Sequence, residues 1–231
     1  MIAPTLSLGP LQKDPVSGLS YRVRLPQPAQ PGALVVLLHG VGGQETDLAE
    51  LAGGLDSGTL VVLVRGSLQL GPEQFGWFRV SFTTEGPKPT LTEAEASRHT
   101  LIRFIDHAQS THGIEAHRTV IAGFSQGGIM SASVALSAPE RVGGFAILSG
   151  RILPELEPRV ASREWLTHLR GFIGHGDRDR TLPLAWAQRA DHWLDNLGIP
   201  HVTRVYPAGH TLNPDMQADV LAWIGEVSSA A

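Results

Sequence analysis

An α/β fold, with a mostly parallel central sheet and helices on both faces, is predicted for this chain. Strand-length apolar runs alternate with helix-length segments from end to end, the pattern of successive β-α units. Two of those runs, 33–38 and 60–64, are apolar at nearly every position, as in a strand covered on both faces. Glycine-rich polar clusters fall directly after several strands, where an open α/β sheet binds its ligands. The 231 residues suit one domain, 1–231, and 42 % hydrophobic against 17 % charged residues is a compact globular composition.

The elements follow in order. Leu19 to Leu25 alternates like an edge strand and is closed off by the proline-rich stretch 26–31. Ala33 to Leu38 is a buried strand, Glu45 to Leu55 a helix starting near Gln44 or Thr46, and Leu60 to Val64 a second buried strand. Residues 66–91 break the rhythm; rich in Gly, Pro and aromatics, they predict a long functional loop. Helical spacing of Leu101, Ile102, Phe104, Ile105 and Ala108 predicts a helix over Thr92 to Thr111, with Gly113 beyond its end. Thr119 to Ala122 is the next strand, followed by a buried helix that Pro139 stops. Gly144 to Leu148 and Gly171 to Gly174 are strands, and Leu184 to Leu197 is a helix ended by Gly198. His201 to Tyr206 is the last strand, and Pro214 opens a closing helix that runs to Val227.

Composition excludes several classes. The net charge of −4, with no basic block, gives no electrostatic support for nucleic acid or an anionic membrane. No apolar stretch approaches the ~18 residues of a membrane span. The absence of cysteine rules out disulfides, a thiolate nucleophile and Cys-based metal sites. Residues 1–20 lack a basic start and an apolar core, so no signal peptide is read and a cytoplasmic protein is expected. No His pair shows H-E-x-x-H spacing, so neither a metal nor any other cofactor is expected. Monomer and homodimer are both open.

Gly123-Phe124-Ser125-Gln126-Gly127, between a strand and a helix, is the nucleophile elbow pattern of α/β-hydrolases. Small residues two before and two after the serine let strand and helix pass closely while the turn lifts the hydroxyl off the sheet edge. In that fold the triad runs Ser, acid, His along the chain. Of ten histidines only His192, His201 and His210 lie beyond the 175–179 cluster. His192 is mid-helix and His201 opens a strand at the wrong end of the sheet, which leaves His210 as the base. Asp177 and Asp179 both follow the preceding strand, and either can be the acid at this level. One oxyanion donor is the backbone N–H of Gln126, the residue after the nucleophile. The rival reading of Gly40-Val41-Gly42-Gly43 as a phosphate cradle lacks both the G-x-G-x-x-G spacing and a Walker lysine.

With His39-Gly40-Val41-Gly42-Gly43, the GFSQGG run at 123–128, the HGDRDRTLP run at 175–183 and Ala208-Gly209-His210 in this order, the chain resembles the phospholipase/carboxylesterase family, the acyl-protein thioesterase-like branch of α/β-hydrolases. The likeness covers nearly the whole chain. It implies the α/β-hydrolase fold and a carboxylesterase or thioesterase activity on a small-molecule ester, without metal or cofactor. The family's H-G-x-x-D-x-x-x-P pattern places the acid at Asp179 and leaves Asp177 to order the turn. The family match also places the second oxyanion donor at the N–H of Val41. The expected chemistry is two-step acyl transfer through Ser125, His210 and Asp179.

Around the pocket the chain departs from the family pattern. Arg151 follows a strand end in Ser149-Gly150-Arg151, and the 66–91 loop carries Phe75, Trp77, Phe78 and Arg79. These differences favour a small ester over a long-chain acyl-protein. Trp77 and Phe78 are read either as pocket walls or as packing of the loop onto the sheet. Arg151 either meets an anionic part of the substrate or is solvated and ties down a loop. Peptidase, perhydrolase or lactonase chemistry on the same fold, and a non-catalytic ligand-binding protein, are the competing classes.

Overall fold

The computed structural model describes residues 7–83 and 86–229. The first six residues, part of the stretch read as lacking a signal peptide, and 84–85 of the long loop lie outside the described residues. Strands β1 (Ser7–Leu8), β2 (Gln12–Lys13) and β3 (Ser20–Leu25) precede β4 (Ala33–Leu38), the short helix α1 (Ala49–Gly53) and β5 (Thr59–Val64). Four short strands follow: β6 (Leu68–Gly71), β7 (Gln74–Gly76), β8 (Val80–Thr83) and β9 (Gly86–Pro89). Next come α2 (Leu91–His112), β10 (Thr119–Phe124), α3 (Gln126–Ser137) and β11 (Gly144–Leu148). The chain ends with α4 (Arg163–Leu166), β12 (Arg170–Gly176), α5 (Ala185–Leu197), β13 (His201–Tyr206) and α6 (Pro214–Ser229).

The main sheet runs β1-β3-β5-β4-β10-β11-β12-β13, with β2 also on β3. From β5 to β13 every pairing is parallel, and β1, β2 and β3 pair antiparallel. The two-residue alternation of a strand explains why the apolar runs are continuous. Leu34, Val36, Leu38, Val62, Ile121 and Ile147 face one side, against Leu101, Phe104, Met130 and Leu194 of α2, α3 and α5. Val35, Leu37, Val61, Ala122 and Leu148 face the other, against Leu51 of α1 and Met216, Val220 and Ile224 of α6. Helices therefore cover both faces, and this is an α/β-hydrolase fold.

Three expectations need correction. The 19–25 strand is not the sheet edge, because β1 and β2 pair on its outer side. The helix expected over 45–55 is a 3-10 turn, Glu45–Leu48, followed by only five residues of α-helix. Gly53 and Gly54 end it, since glycine weakens a helix. The 66–91 segment is not an irregular loop but two antiparallel pairs, β6 with β7 and β8 with β9. Its strands are three or four residues long, too short to show periodicity.

That insert is pinned to the start of α3 by the Gln126 side chain. Its Oε1 accepts the Trp77 N–H at 2.7 Å, and its Nε2 donates to the Phe78 carbonyl at 2.7 Å. The Ser97 hydroxyl donates to the Trp77 carbonyl at 2.5 Å, and the Trp77 indole N–H to the His39 carbonyl at 3.0 Å. Gln126 itself is buried. Truncation to Gln126→Ala keeps its backbone N–H but strands a buried N–H and a buried carbonyl, each costing about 1–3 kcal/mol. Urea unfolding should therefore show a loss of about 2 kcal/mol or more; an unchanged midpoint and slope would mean that water takes over the clamp.

Candidate active site

Ser125 stands between β10 and α3 at the carboxyl end of the sheet, with φ 54° and ψ −115°. A positive φ is costly for serine, about 1–3 kcal/mol, and is held here by packing. A Cβ added to Gly123 would lie 2.2 Å from the Gly127 carbonyl carbon, and one added to Gly127 2.1 Å from the Leu38 carbonyl oxygen. Strand and helix thus meet backbone to backbone, and the Ser125 N–H is fixed by donating to the Leu148 carbonyl at 2.8 Å.

The structure brings Ser125, His210 and Asp179 into one hydrogen-bonded line. Ser125 Oγ lies 2.9 Å from His210 Nε2, and His210 Nδ1 lies 2.7 Å from Asp179 Oδ2. With the Nδ1–H donating to the carboxylate, Nε2 is free to accept the serine hydroxyl. The Asp179 side chain is 0 % exposed and that of His210 19 %. The other Asp179 oxygen, Oδ1, accepts the N–H groups of Thr181 and Leu182, both at 2.8 Å. Those two bonds fix the carboxylate and close the turn. Asp179 therefore orders this turn, which corrects the expectation that Asp177 does so. Asp177 is exposed, and its carboxylate faces Arg178 Nε at 3.4 Å. His175 is buried under the loop, with Nε2 2.7 Å from the Leu182 carbonyl. His192 is exposed on α5, and His201 lies at the amino end of β13, 3.2 Å from Asp191.

Next to Ser125, the N–H groups of Val41 and Gln126 have no acceptor among the described residues. For Gln126 the cause is its place as first residue of α3, where helical N–H groups lack a partner. For Val41 it is a turn closed by the Gly43 N–H donating to the Gly40 carbonyl at 3.2 Å, with Gly42 at φ 77°. Glycine is favoured there because the third position of a type II turn needs a positive φ. The insert holds this turn from outside. Gly42 N–H donates to the Phe75 carbonyl and Phe75 N–H to the Gly43 carbonyl, both at 2.8 Å. Arg65 lies over the Phe75 ring at 4.3 Å and pairs with buried Glu45 at 2.6 Å; Arg22 pairs with the same carboxylate at 2.8 Å. Burial pushes the Glu45 carboxyl up, but bonds from Arg65 and Arg22 outweigh it and leave the group below its usual value.

His39, just before the turn, is held neutral, since burial lowers its pKa. Its Nε2 accepts the Gly66 N–H at 2.9 Å, which requires that lone pair. A cleft of about 360 Å³ opens beside His210 and Val41, walled by Leu48, Leu51, Phe124 and Leu212. Trp77 and Phe78 are not its walls: at 0 % and 1 % exposure they pack into the core, which corrects that reading. Phe124, with its ring 4.9 Å from that of His210, is the aromatic wall that sequence reasoning missed. Its place as second residue of the elbow pentapeptide was the available signal. Arg151 is half-buried at the end of β11, stacked over Trp186. Among the described residues no group of three or more His, Asp or Glu could hold a metal ion, and no helix is long and apolar enough to cross a membrane.

Comparison with known proteins bears on the whole of this arrangement. The family model described as Phospholipase/Carboxylesterase matches residues 26–228. The chain is 31 % identical over 176 residues to Esterase YpfH of Escherichia coli K12, covering 74 % of this chain and 72 % of that one. It is 32 % identical over 127 residues to Acyl-protein thioesterase 1 of Eremothecium gossypii, a match that spans only 50 % of either protein. Among solved structures, a carboxylesterase from Mesorhizobium loti superposes with a TM-score of 0.79 at 24 % identity, over 94 % of this chain and 98 % of that one. At that identity the superposition speaks for the fold. The family match takes in Ser125, Asp179 and His210 together with the Gly40–Gly43 turn, and the chain belongs to the phospholipase/carboxylesterase family.

Proposed function

We propose that this chain is a serine-dependent carboxylic ester hydrolase that cleaves small esters or thioesters through an acyl-enzyme. The observation that carries the assignment is the line Ser125 Oγ–His210 Nε2–His210 Nδ1–Asp179 Oδ2, with spacings of 2.9 and 2.7 Å. Ser125 attacks the substrate carbonyl carbon as its proton passes to His210 Nε2. The carbonyl electron pair moves to oxygen, where the N–H groups of Val41 and Gln126 stabilise it in a site built before the reaction starts. Asp179, fixed by Thr181 and Leu182, holds the imidazolium in orientation. Collapse of the intermediate breaks the bond to the alcohol or thiol, which leaves with the proton from His210. Water, deprotonated by the same nitrogen, then attacks the acyl-serine and frees Ser125 and the carboxylic acid. The cleft beside Phe124 and Leu212 takes one limb of the ester, and its roughly 360 Å³ favours a small group.

Ser125→Ala should lose roughly four to six decades of kcat on a p-nitrophenyl ester, by analogy with serine-protease triad deletions. The parent should be labelled by a fluorophosphonate and the variant should not. Retention of activity within tenfold would move the nucleophile elsewhere, and an unlabelled, inactive parent would favour a binding protein on this fold.

Asp179→Asn should lower kcat by about 10⁴, since the amide favours the wrong histidine tautomer. Asp177→Asn, on an exposed side chain, should change kcat by far less. The reverse ranking would move the acid to Asp177.

A further inference from the structure

Where the β11 loop packs against the Ser125 elbow, two guanidiniums meet that form no salt bridge among the described residues. Gly150 packs directly on the elbow: a Cβ added there would lie 3.0 Å from the Ser125 carbonyl oxygen. Arg151, the next residue, projects its guanidinium over the indole of Trp186, with Cζ 4.4 Å from the ring centroid. The Arg189 guanidinium lies 4.8 Å from the same centroid. Trp186 belongs to the first turn of α5, four residues beyond Leu182, whose N–H holds Asp179. Two guanidiniums are thus gathered on one indole, one from the β11 loop that packs against the elbow and one from α5, the helix that follows the Asp179 turn.

Arg151 and Arg189 form no ion pair among the described residues, although the chain as a whole carries a net charge of −4. Arg151 Nε is buried without a hydrogen-bond partner. Glu155 is the acid whose charge reaches Arg151, but it is exposed and makes no bond to it. Burial lowers the Arg151 pKa, so its charged form bears a desolvation cost that an incoming anion would offset. Stacking on an indole fixes the guanidinium plane and leaves the two Nη groups, which make no hydrogen bond among the described residues, suited to two parallel bonds to a planar carboxylate. A buried, unpartnered Nε on a half-buried arginine is what a merely solvated side chain would not show.

We propose that Arg151, oriented by Trp186 and assisted by Arg189, forms a carboxylate subsite beside Ser125, so that the preferred ester bears a carboxylate on its acyl or alcohol limb. The proposal rests on the esterase reading above. It makes Arg151 a specificity-determining residue, acting in ground-state binding.

The test compares mono-p-nitrophenyl succinate, with its carboxylate on the acyl limb, 4-carboxyphenyl butyrate, with it on the alcohol limb, and neutral p-nitrophenyl butyrate. The parent enzyme should prefer one carboxylate ester over the neutral one in kcat/KM, and added salt should erode that preference by screening. Arg151→Gln should lower the ratio roughly 10- to 100-fold, the scale of a charge-assisted hydrogen bond, with the loss in KM. Arg151→Lys should retain part of it, and Arg189→Gln should lose less than Arg151→Gln. Which limb bears the carboxylate follows from which ester is preferred. A parent that hydrolyses the neutral ester with no salt-sensitive preference overturns the subsite and leaves the esterase reading standing, whether or not any variant folds. A ratio unchanged in folded Arg151→Gln also overturns it. A parent inactive on all three esters sinks both.

Discussion

Backbone lies against backbone where β4, β10 and α3 meet, and the site is built on that contact. Gly127 approaches the Leu38 carbonyl, and Gly123 approaches Gly127, more closely than any side chain would allow. The approach goes with a positive φ at Ser125 and leaves the Gln126 N–H, at the start of α3, without an acceptor among the described residues. It also brings the end of β4, with His39 and the Gly40–Gly43 turn, beside the serine: a Cβ on Gly40 would lie 3.3 Å from that of Ser125. His210 and Asp179 arrive from β13 and β12, two parallel strands whose register is fixed by residues such as Phe172 and Val202. Parallel pairing places all these loops at one end of the sheet, which is why Val41 and His210, 169 positions apart, come to one candidate site.

Electrostatics hold the site from below. Glu45 sits at 2 % exposure between Arg22 and Arg65, an arrangement stable only because both guanidiniums hydrogen-bond the carboxylate. Arg65 in turn rests on Phe75, and Phe75 carries the turn that presents Val41. A buried charge cluster, rather than apolar packing alone, therefore ties β3, the end of β5 and the insert to the turn at Gly40–Gly43.

Much of this was legible in the residues. The strand over 33–38 has the bounds that hydrophobicity assigns it, because a continuous apolar run leaves little choice of burial; the strand over 201–206 also has its expected bounds, although it is mostly exposed or half-buried. Ser125 and His210 are readable from local pattern and chain order. Asp179 is not separable from Asp177 by residue chemistry, since both follow the same strand; one is buried and the other exposed. The insert escaped because its strands are short and its fixing bonds are non-local. Nothing in the run from Gly66 to Leu91 announces that Gln126 will hold the backbone of Trp77 and Phe78. Reading those aromatics as pocket walls failed for the same reason, since their burial is decided by what folds over them.

The insert is hydrogen-bonded to both segments that supply the proposed oxyanion donors. Phe75 holds the turn that carries Val41, and Gln126, on the other segment, holds Trp77 and Phe78. The four residues Phe75 to Phe78 thus work as a strut between the turn that follows β4 and the first residue of α3. Exchanging it for the equivalent segment of a relative would put at risk the bonds that brace both segments. In chimeras built across this family, residues 66–91 and the elbow helix belong on the same side of any crossover.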